Sequence, residues 1–524
     1  MKIPYNCLHT HGSFLFAARG GKIHTFNLVD GAHVATWMHP EVETFIAASH
    51  RASPTVESGP GHADDCVVVE EAVVQPPAKR QKVTGDVAQQ QDDNGETHGA
   101  RNSRSKGQRK PKPIPVPDRP VIIQLASTAD GRHLVAVSSH DKAVWVFAHD
   151  GSGHLSELSK RIMPKRPSAI ALSPDSQVIV ADKFGDVYAI PLIKSAEPYT
   201  PAQTPSGAQK GFSKPAATVL TVHSKGNRAA LAAQQRQLEK PASSSGADGS
   251  VRAEGPDFEH ALLLGHVSML TGLLLGEDEQ RRRYIVTSDR DEHIRVSRFT
   301  PQAHVIHGYC LGHREFVGAM TIPSTRAGLL VSGGGDEDLF LWDWVKGELL
   351  SRTNILTPVK EVDPQASRVA VSKLLALEYP CEQGTQTHVI AICEDISAIF
   401  TWQLLHDNVL TKPGIIQLPG KPLDIAASTT DSTASLAIAL HIPEGFDDAA
   451  AQSLHIIHLM IDDGRLAVDT IGPVNDAAQE ATEQDVAESD IRTLFYTIEH
   501  LRKQQTSGLE EDQGEQQEGS VAET

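Results

Sequence analysis

The chain has 524 residues, a formal net charge of −18 at pH 7 and five cysteines. Such acidity argues against an RNA-binding protein that relies on bulk electrostatic attraction to phosphates. The cysteines show no CxxC spacing, which indicates an intracellular, reduced protein without a disulfide framework. We find neither a secretory signal nor an apolar run of roughly 18 residues, which a membrane-spanning helix needs. We therefore expect no membrane association.

The N-terminal segment, residues 1–51, predicts short strands between Asn6 and Phe26, joined by a turn at Gly20 and Gly21. Residues 52–118 are rich in Gly, Gln, Asp, Pro and basic residues. Such a composition cannot bury enough apolar surface to offset the entropy of ordering, so we predict a disordered basic insertion.

The first insertion contains two basic clusters. Runs of this kind are typical of nuclear localisation signals or nucleic-acid patches, although a solvated flexible loop is the alternative. On this basis we predict a nuclear protein. The candidate residues are Lys79, Arg80, Lys82, Arg109 and Lys110.

Residues 119–196 resume the strand pattern in two units. The unit 121–147 has a candidate turn acid at Asp141 and places Phe147 where a repeat of this type expects Trp. The unit 168–190 follows it. Residues 197–257 are rich in Ala, Ser, Pro, Gln and Gly, and we predict a second disordered insertion.

Residues 258–474 contain two copies of one pattern: a Gly-His pair, a gap, a Ser or Thr, a turn acid and a short apolar strand. This is the WD-repeat signature. The copies read His266, Thr287, Asp291 and Ser297, then His313, Ser332, Asp336 and Trp342. Because a buried polar group must be paired, we interpret the His, Ser or Thr, Asp and Trp positions as structural. Asp291 is the exception, because it either serves the turn or binds a partner.

Strand patterns over 369–404 and 418–459 supply two more units. The total predicts an all-β fold: a seven-bladed WD40 β-propeller with two long disordered insertions and an acidic C-terminal tail. We expect the ring to close when an end strand joins a blade built from the other terminus, because closure removes exposed sheet edges.

The tail, residues 475–524, contains one amphipathic segment, and we predict a helix over 489–503 capped by Ser489 or Asp490. It either packs under the propeller rim or binds a partner. Its apolar face would comprise Ile491, Leu494, Phe495, Ile498 and Leu501.

No enzyme signature stands out. We find no P-loop, no GxGxxG after a strand and no GxSxG, and the 25 histidines are scattered. We therefore predict no catalytic, cofactor-binding or metal-binding residues.

The block Tyr284–Arg298 resembles the WD-repeat non-catalytic subunit of the eukaryotic tRNA guanine-N7 methyltransferase, as do the blocks 181–188, 265–271 and 309–317. These blocks lie within residues 177–342, and the long insertions depart from a minimal propeller. The resemblance implies a heterodimer with a Rossmann-like catalytic subunit. That partner would bind S-adenosylmethionine and methylate the guanine at tRNA position 46, in the variable loop. The propeller would stabilise the active partner and help to position tRNA.

Surplus charge in the first WD copy suggests where such a partner binds. Asp291, His293 and Arg295 alternate, so we expect their side chains to share one face of a strand. Arg290 adds charge at the turn, and Lys183 occupies the equivalent turn of the preceding unit. We predict that Arg295, Asp291, Arg290 and Lys183 bind the partner. The alternative is a set of solvated charges that contribute little.

Two other functions stay open. The chain could be a generic WD scaffold, such as a ubiquitin-ligase substrate receptor or a ribosome-assembly factor. It could also bind RNA through the basic insertion.

Overall fold

The computed structural model describes residues 2–44, 119–195, 199, 256–381, 384–430, 433–443, 452–472, 474–481, 483 and 485–503. The predicted localisation residues Lys79, Arg80, Lys82, Arg109 and Lys110 lie outside the described residues. So do the first insertion, nearly all of the second and the tail from residue 504.

The described residues form seven four-stranded antiparallel sheets, each made of four strands consecutive in the chain. This is the predicted seven-bladed β-propeller. The first three blades contain β1 (Cys7–His11), β2 (Phe14–Arg19), β3 (Lys22–Asn27), β4 (His33–Met38), β5 (Ile122–Ser127), β6 (His133–Ser138), β7 (Ala143–His149), β8 (Leu155–Ile162), β9 (Pro167–Ser173), β10 (Gln177–Asp182), β11 (Asp186–Pro191) and β12 (Ala261–Gly265). The second predicted insertion therefore falls inside blade 3, between β11 and β12.

The remaining four blades follow without a comparable interruption. They contain β13 (Leu270–Glu277), β14 (Arg283–Asp289), β15 (Ile294–Arg298), β16 (Ile306–Cys310), β17 (Val317–Thr321), β18 (Leu329–Gly334), β19 (Asp338–Asp343), β20 (Glu348–Asn354), β21 (Val371–Cys381), β22 (Gly384–Cys393), β23 (Ala398–Leu404), β24 (Leu410–Gln417), β25 (Lys421–Thr429), β26 (Ala434–His441), β27 (Leu454–Asp462) and β28 (Arg465–Gly472). A short helix, α1 (Leu356–Val362), connects blades 5 and 6.

The core lies between neighbouring blades, because successive side chains of a strand point to opposite faces of its sheet. Strand β14 shows the arrangement. Ile285 packs against blade 3 with Val187, whereas Val286 packs against blade 5 with Trp342. Central strands are therefore apolar on both faces and read as continuous hydrophobic runs.

The expectation that the ring closes by strand exchange is wrong. Blades 1 and 7 are each complete with four strands from their own end of the chain. They meet through side-chain packing, with Phe26 and Leu15 against Ile456 and Ala439. Polar contacts join them as well; in one of these, the backbone N–H of Leu8 donates to the carboxylate of Asp424 over 2.8 Å.

The C-terminal segment contains α2 (Ala477–Ala481), α3 (Glu488–Phe495) and a 3-10 turn at Glu499–Leu501. A single helix over 489–503 is therefore wrong, and so is its cap: Ala487 precedes α3 and no side chain caps it. The helix ends because the backbone N–H groups of Ile498 and Glu499 donate to the carboxylate of Glu394, over 2.9 and 2.7 Å. Ile491 is fully buried, so the helix packs on the propeller.

No helix in the described part of the chain is long and apolar enough to cross a membrane.

Candidate functional site

The WD positions of blade 5 form one buried hydrogen-bonded network. The two ring nitrogens of His313 lie 2.8 Å from an oxygen of Asp336 and 2.7 Å from the hydroxyl of Ser332. The indole N–H of Trp342 donates to the same hydroxyl over 2.8 Å. Asp336 also accepts the backbone N–H of Arg314. The network joins the β18–β19 turn to the connection between blades 4 and 5.

Blade 2 holds a second such network, built around Asp141. The hydroxyl of Ser138 lies 2.5 Å from Asp141 and accepts the indole N–H of Trp145 over 2.8 Å. The imidazole of His39 completes it, 3.3 Å from Asp141. The assignment of Phe147 to the Trp position is therefore wrong, and Phe147 packs in the core between blades 1 and 2.

His39 escaped detection from the sequence because the long insertion separates it from the rest of its network. The sequence did contain one signal, the position of His39 directly after β4, the last strand of blade 1. His313 likewise comes shortly after β16, the last strand of blade 4, which ends at Cys310. Each of these histidines ends one blade and bonds to the turn of the next.

Blade 4 uses a different acid from the one predicted. The imidazole of His266 lies 2.9 Å from the hydroxyl of Thr287 and 3.4 Å from Asp289, not from Asp291. Asp289 also accepts the backbone N–H groups of Asp291 and His293. Burial opposes ionisation of Asp289, but the bonds from His266 and His293 hold its pKa below the ordinary value. Asp291 is thus free of the structural role and lies at the surface.

The same blade lacks the WD tryptophan, and a groove takes its place. In the strand register Ser297 pairs with Ile285 as Trp342 pairs with Leu330 in blade 5, so the two positions are equivalent. A hydroxymethyl group fills far less space than an indole. The resulting groove, of about 370 Å³, is lined by Gly265, His266, Val267, Ser268, Asp289, Asp291, His293, Arg295, Tyr309 and Leu311.

Arg295 is the chemical centre of this groove. Its side chain donates to the hydroxyl of Ser297 over 2.9 Å and to the carbonyl of Gly265 over 3.0 Å. Arg295 is only 8% exposed, and no carboxylate in the described part of the chain pairs with it. Burial lowers the pKa of the guanidinium, but a guanidinium stays charged in proteins. A desolvated cation without a counter-charge is costly, so the groove favours a carboxylate from outside.

Apolar side chains border the groove. Val267 and Leu311 are 69% and 61% exposed, and Tyr309 is also exposed. Phe184 and Leu262 of blade 3 are exposed as well. Clustered exposed hydrophobic residues beside a polar site are typical of protein interaction surfaces.

The other predicted partner-binding residues lie close by but are not equivalent. Asp291 and His293 line the groove, although from the β14–β15 turn, because β15 begins only at Ile294. Arg290 lies in that turn and donates to the carbonyl of Leu501 over 2.8 Å, so part of its guanidinium is used internally. Lys183 is exposed in the β10–β11 turn and does not line the groove.

One group of potential metal ligands occurs among the described residues: His39, Glu41 and His140, with ligand atoms within 4.8 Å of one another. His39 is already engaged, because one ring nitrogen contacts Asp141 and the other accepts the backbone N–H of Glu41. The expectation that the chain has no metal site stays a prediction.

The chain is similar in sequence to one family of known proteins. A family model described as the tRNA methyltransferase TRM82 WD40 domain matches residues 15–455. A protein of Sclerotinia sclerotiorum named tRNA (guanine-N(7)-)-methyltransferase non-catalytic subunit is 38% identical over 457 residues, which cover 84% of this chain and 85% of the relative. A Debaryomyces hansenii protein with the same name is 26% identical, covering 96% of this chain and 99% of the relative. Among solved structures, the WD40 repeats of RRP9 align with a TM-score of 0.48 and 11% identity, covering 89% of this chain and 95% of that one.

Proposed function

Because the chain belongs to the family of non-catalytic subunits of tRNA (guanine-N(7)-)-methyltransferase, we propose that it is the scaffold of a heterodimeric tRNA methyltransferase. The chain itself is non-catalytic. Its partner carries the S-adenosylmethionine site and transfers the methyl group to N7 of the guanine at tRNA position 46. tRNA is bound by the complex. We place the complex in the nucleus on the strength of the basic clusters in the first insertion.

The observation that carries the proposal is the guanidinium of Arg295 in the groove of blade 4, which forms no ion pair within the described part of the chain. A scaffold needs a surface that is incomplete alone and complete with its partner. An acidic side chain from the catalytic subunit would neutralise Arg295, and apolar side chains beside it would cover Val267 and Leu311. The partner surface is therefore expected to be an apolar patch with a central carboxylate.

Binding of this kind explains how a non-catalytic chain supports a reaction. If the propeller binds the active conformation of the partner more tightly than other conformations, it shifts the population toward the active one. It also stabilises the partner against unfolding by mass action. Neither effect requires contact between the propeller and the methyl donor.

The test is co-purification of the catalytic subunit with the wild-type chain and with Arg295→Leu, followed by a guanine-N7 methylation assay on tRNA. Losing one partner of a buried charged pair costs about 2–5 kcal/mol of association, mostly through faster dissociation. Arg298→Leu is the matched control. It lies on the same strand, but its guanidinium is exposed and donates to Gln302.

A one-to-one complex with wild type and Arg298→Leu, and its loss with Arg295→Leu, would support the proposal. Separate elution of the wild-type chain and the catalytic subunit, with methylation indifferent to this chain, would reject it in favour of a generic WD scaffold. If Arg295→Leu and Arg298→Leu both bound the catalytic subunit as tightly as wild type, Arg295 would not belong to the interface.

A further inference from the structure

The last described residues cross one face of the propeller as a strap, which we define as residues 483 and 485–503. The strap begins on blade 1, where Glu483 and Lys22 form an ion pair of 2.5 Å with both side chains buried. A β-bridge between Lys2 and Asp485 follows. The strap therefore ties the two ends of the chain together where no strand exchange does so.

The strap then passes over blades 7 and 6. The hydroxyl of Tyr496 lies 2.6 Å from the imidazole of His441, at the end of β26. Glu394, in the β22–β23 turn, accepts two backbone N–H groups of the strap. Arg492 reaches Asp395 in the same turn at 3.4 Å.

Arg502 anchors the strap to blade 5. Its guanidinium donates to the carbonyls of Gly335 and Val369, over 2.9 and 2.8 Å, and forms ion pairs with Glu499 and Glu315. Lys503 directly follows this anchor in the chain.

Lys503 contacts the β14–β15 turn of blade 4. Its ammonium lies 3.3 Å from Asp291 and 2.8 Å from Glu292. The neighbouring Leu501 carbonyl accepts the bond from Arg290. Glu292 has φ = +74°, a backbone conformation that side chains other than Gly seldom adopt without support. The strap thus contacts a strained turn. Asp291 of this turn also lines the groove around Arg295.

The charges give this contact a consequence for binding. Asp291 lines the groove and Glu292 follows it in the same turn, so two carboxylates act against any carboxylate that approaches Arg295. Lys503 lies against both and offsets that repulsion. We propose that Lys503 is a positioning residue of the partner surface: it holds the β14–β15 turn and screens its acids, so that an acidic partner side chain can reach Arg295. The inference rests on the proposed function.

The experiment measures association of the full-length chain with the catalytic subunit at low and high salt, by surface plasmon resonance. Lys503→Ala should weaken binding about 5–10-fold at low salt, chiefly by slowing association, because exposed charges act on the encounter rate. The defect should shrink at high salt, where such charges are screened. Lys503→Arg should restore binding.

Two controls separate this role from a general contribution to folding. Arg492→Ala removes a strap cation of similar exposure, 44% against 51%, from blade 6 instead of blade 4. It should leave association unchanged. In the background of Asp291→Asn, Lys503→Ala should have a smaller effect, because one of the acids it screens is gone. Melting temperatures of all variants should stay close to wild type.

Unchanged association of Lys503→Ala would overturn the inference while the proposed function stood. An equal loss with Arg492→Ala would overturn it too, because the strap would then act on the propeller as a whole. Failure of the wild-type chain to bind the catalytic subunit would reject the proposed function, and this inference with it.

Discussion

The side chain of Arg295 donates a hydrogen bond to the hydroxyl of Ser297 over 2.9 Å, and Ser297 stands where blade 5 has Trp342. The pairing explains why blade 4 differs from its neighbour. In blade 5 the indole fills the space between the strand and the Gly-His connection. In blade 4 the small side chain of Ser297 leaves that space open, and its hydroxyl accepts a hydrogen bond from Arg295 at the edge of the groove.

The first prediction concerns the rim of this groove. Leu311→Glu places a carboxylate among the residues that line it, where it can pair with Arg295. The propeller should remain as stable as wild type, because the buried cation gains a partner. Association with the catalytic subunit should fall at least about tenfold, since the competing carboxylate also repels the partner's acid. Isothermal titration calorimetry measures the loss.

Ile471→Glu is the control for that variant, because Ile471 is similarly exposed but lies on β28 of blade 7. Its binding should match wild type. A loss with Ile471→Glu as large as with Leu311→Glu would mean that surface acidity in general, and not the groove, decides association.

The second prediction concerns the network of blade 5. Asp336→Ala leaves a ring nitrogen of His313 and two backbone N–H groups without their acceptor, because Asp336 bonds to all three. Unsatisfied buried groups cost about 1–3 kcal/mol each, so the free energy of unfolding should drop by at least that amount. Urea denaturation measures it.

Asp343→Ala serves for comparison, since Asp343 pairs with the exposed Lys346. Exposed ion pairs contribute about 0–1 kcal/mol, so the stability of this variant should change little. Similar losses for the two variants would contradict the structural role of Asp336.

The third prediction tests which residue fills the WD position of blade 2. Trp145→Phe removes the indole N–H that Ser138 accepts, and should destabilise the propeller by about 1–3 kcal/mol beyond the lost packing. Trp37→Phe makes the same chemical change in a ring that packs edge-on against Trp145 and whose indole N–H has no hydrogen-bond partner in the described part of the chain. Thermal unfolding should therefore show the larger shift for Trp145→Phe. Equal shifts in melting temperature for the two variants would show that the hydrogen bond between Trp145 and Ser138 does not stabilise the blade.

The fourth prediction is a loss of stability in mild acid. Burial lowers the pKa of His388 to about 4, because desolvation disfavours the charged ring. In the unfolded chain the pKa is about 6.5. Between these values the unfolded state binds the proton and the folded state does not, so stability falls as pH drops from about 6.5 to 4. The slope is at most about 1.4 kcal/mol per pH unit for this group.

Neither ring nitrogen of His388 has a hydrogen-bond partner within the described ranges. His388→Leu should therefore flatten the pH dependence without losing a bond. His9, whose pKa burial also lowers to about 4, contributes a similar slope that the variant retains. Urea denaturation at pH 7, 6 and 5 measures how the free energy of unfolding changes with pH in the wild-type chain and in His388→Leu. An unchanged slope in His388→Leu would show that this histidine is protonated in the folded state or already neutral in the unfolded one.

Much of the fold, and part of the candidate site, could be predicted from local patterns in the sequence. Short alternating strands, the two Gly-His units and Trp342 predict a seven-bladed propeller, because each blade repeats the same local rules. Arg295 was recognisable as a charged residue on a strand that is ordinarily apolar. The roles of Asp289 and Asp291 could not be separated, since both are acids at one turn and only the backbone path decides which faces His266.

The sequence by itself determined the repeat, the number of blades and the residues of the blade 5 network, because periodicity and hydrogen-bonding capacity are local properties of the chain. Tertiary structure alone decided which partners meet across long separations. It brings His39 to Asp141 across an insertion and Lys503 to Asp291. It also ends the predicted C-terminal helix early, because backbone N–H groups of that segment donate to Glu394. These contacts depend on the closed ring, which places distant segments on one face and cannot be read from spacing along the chain.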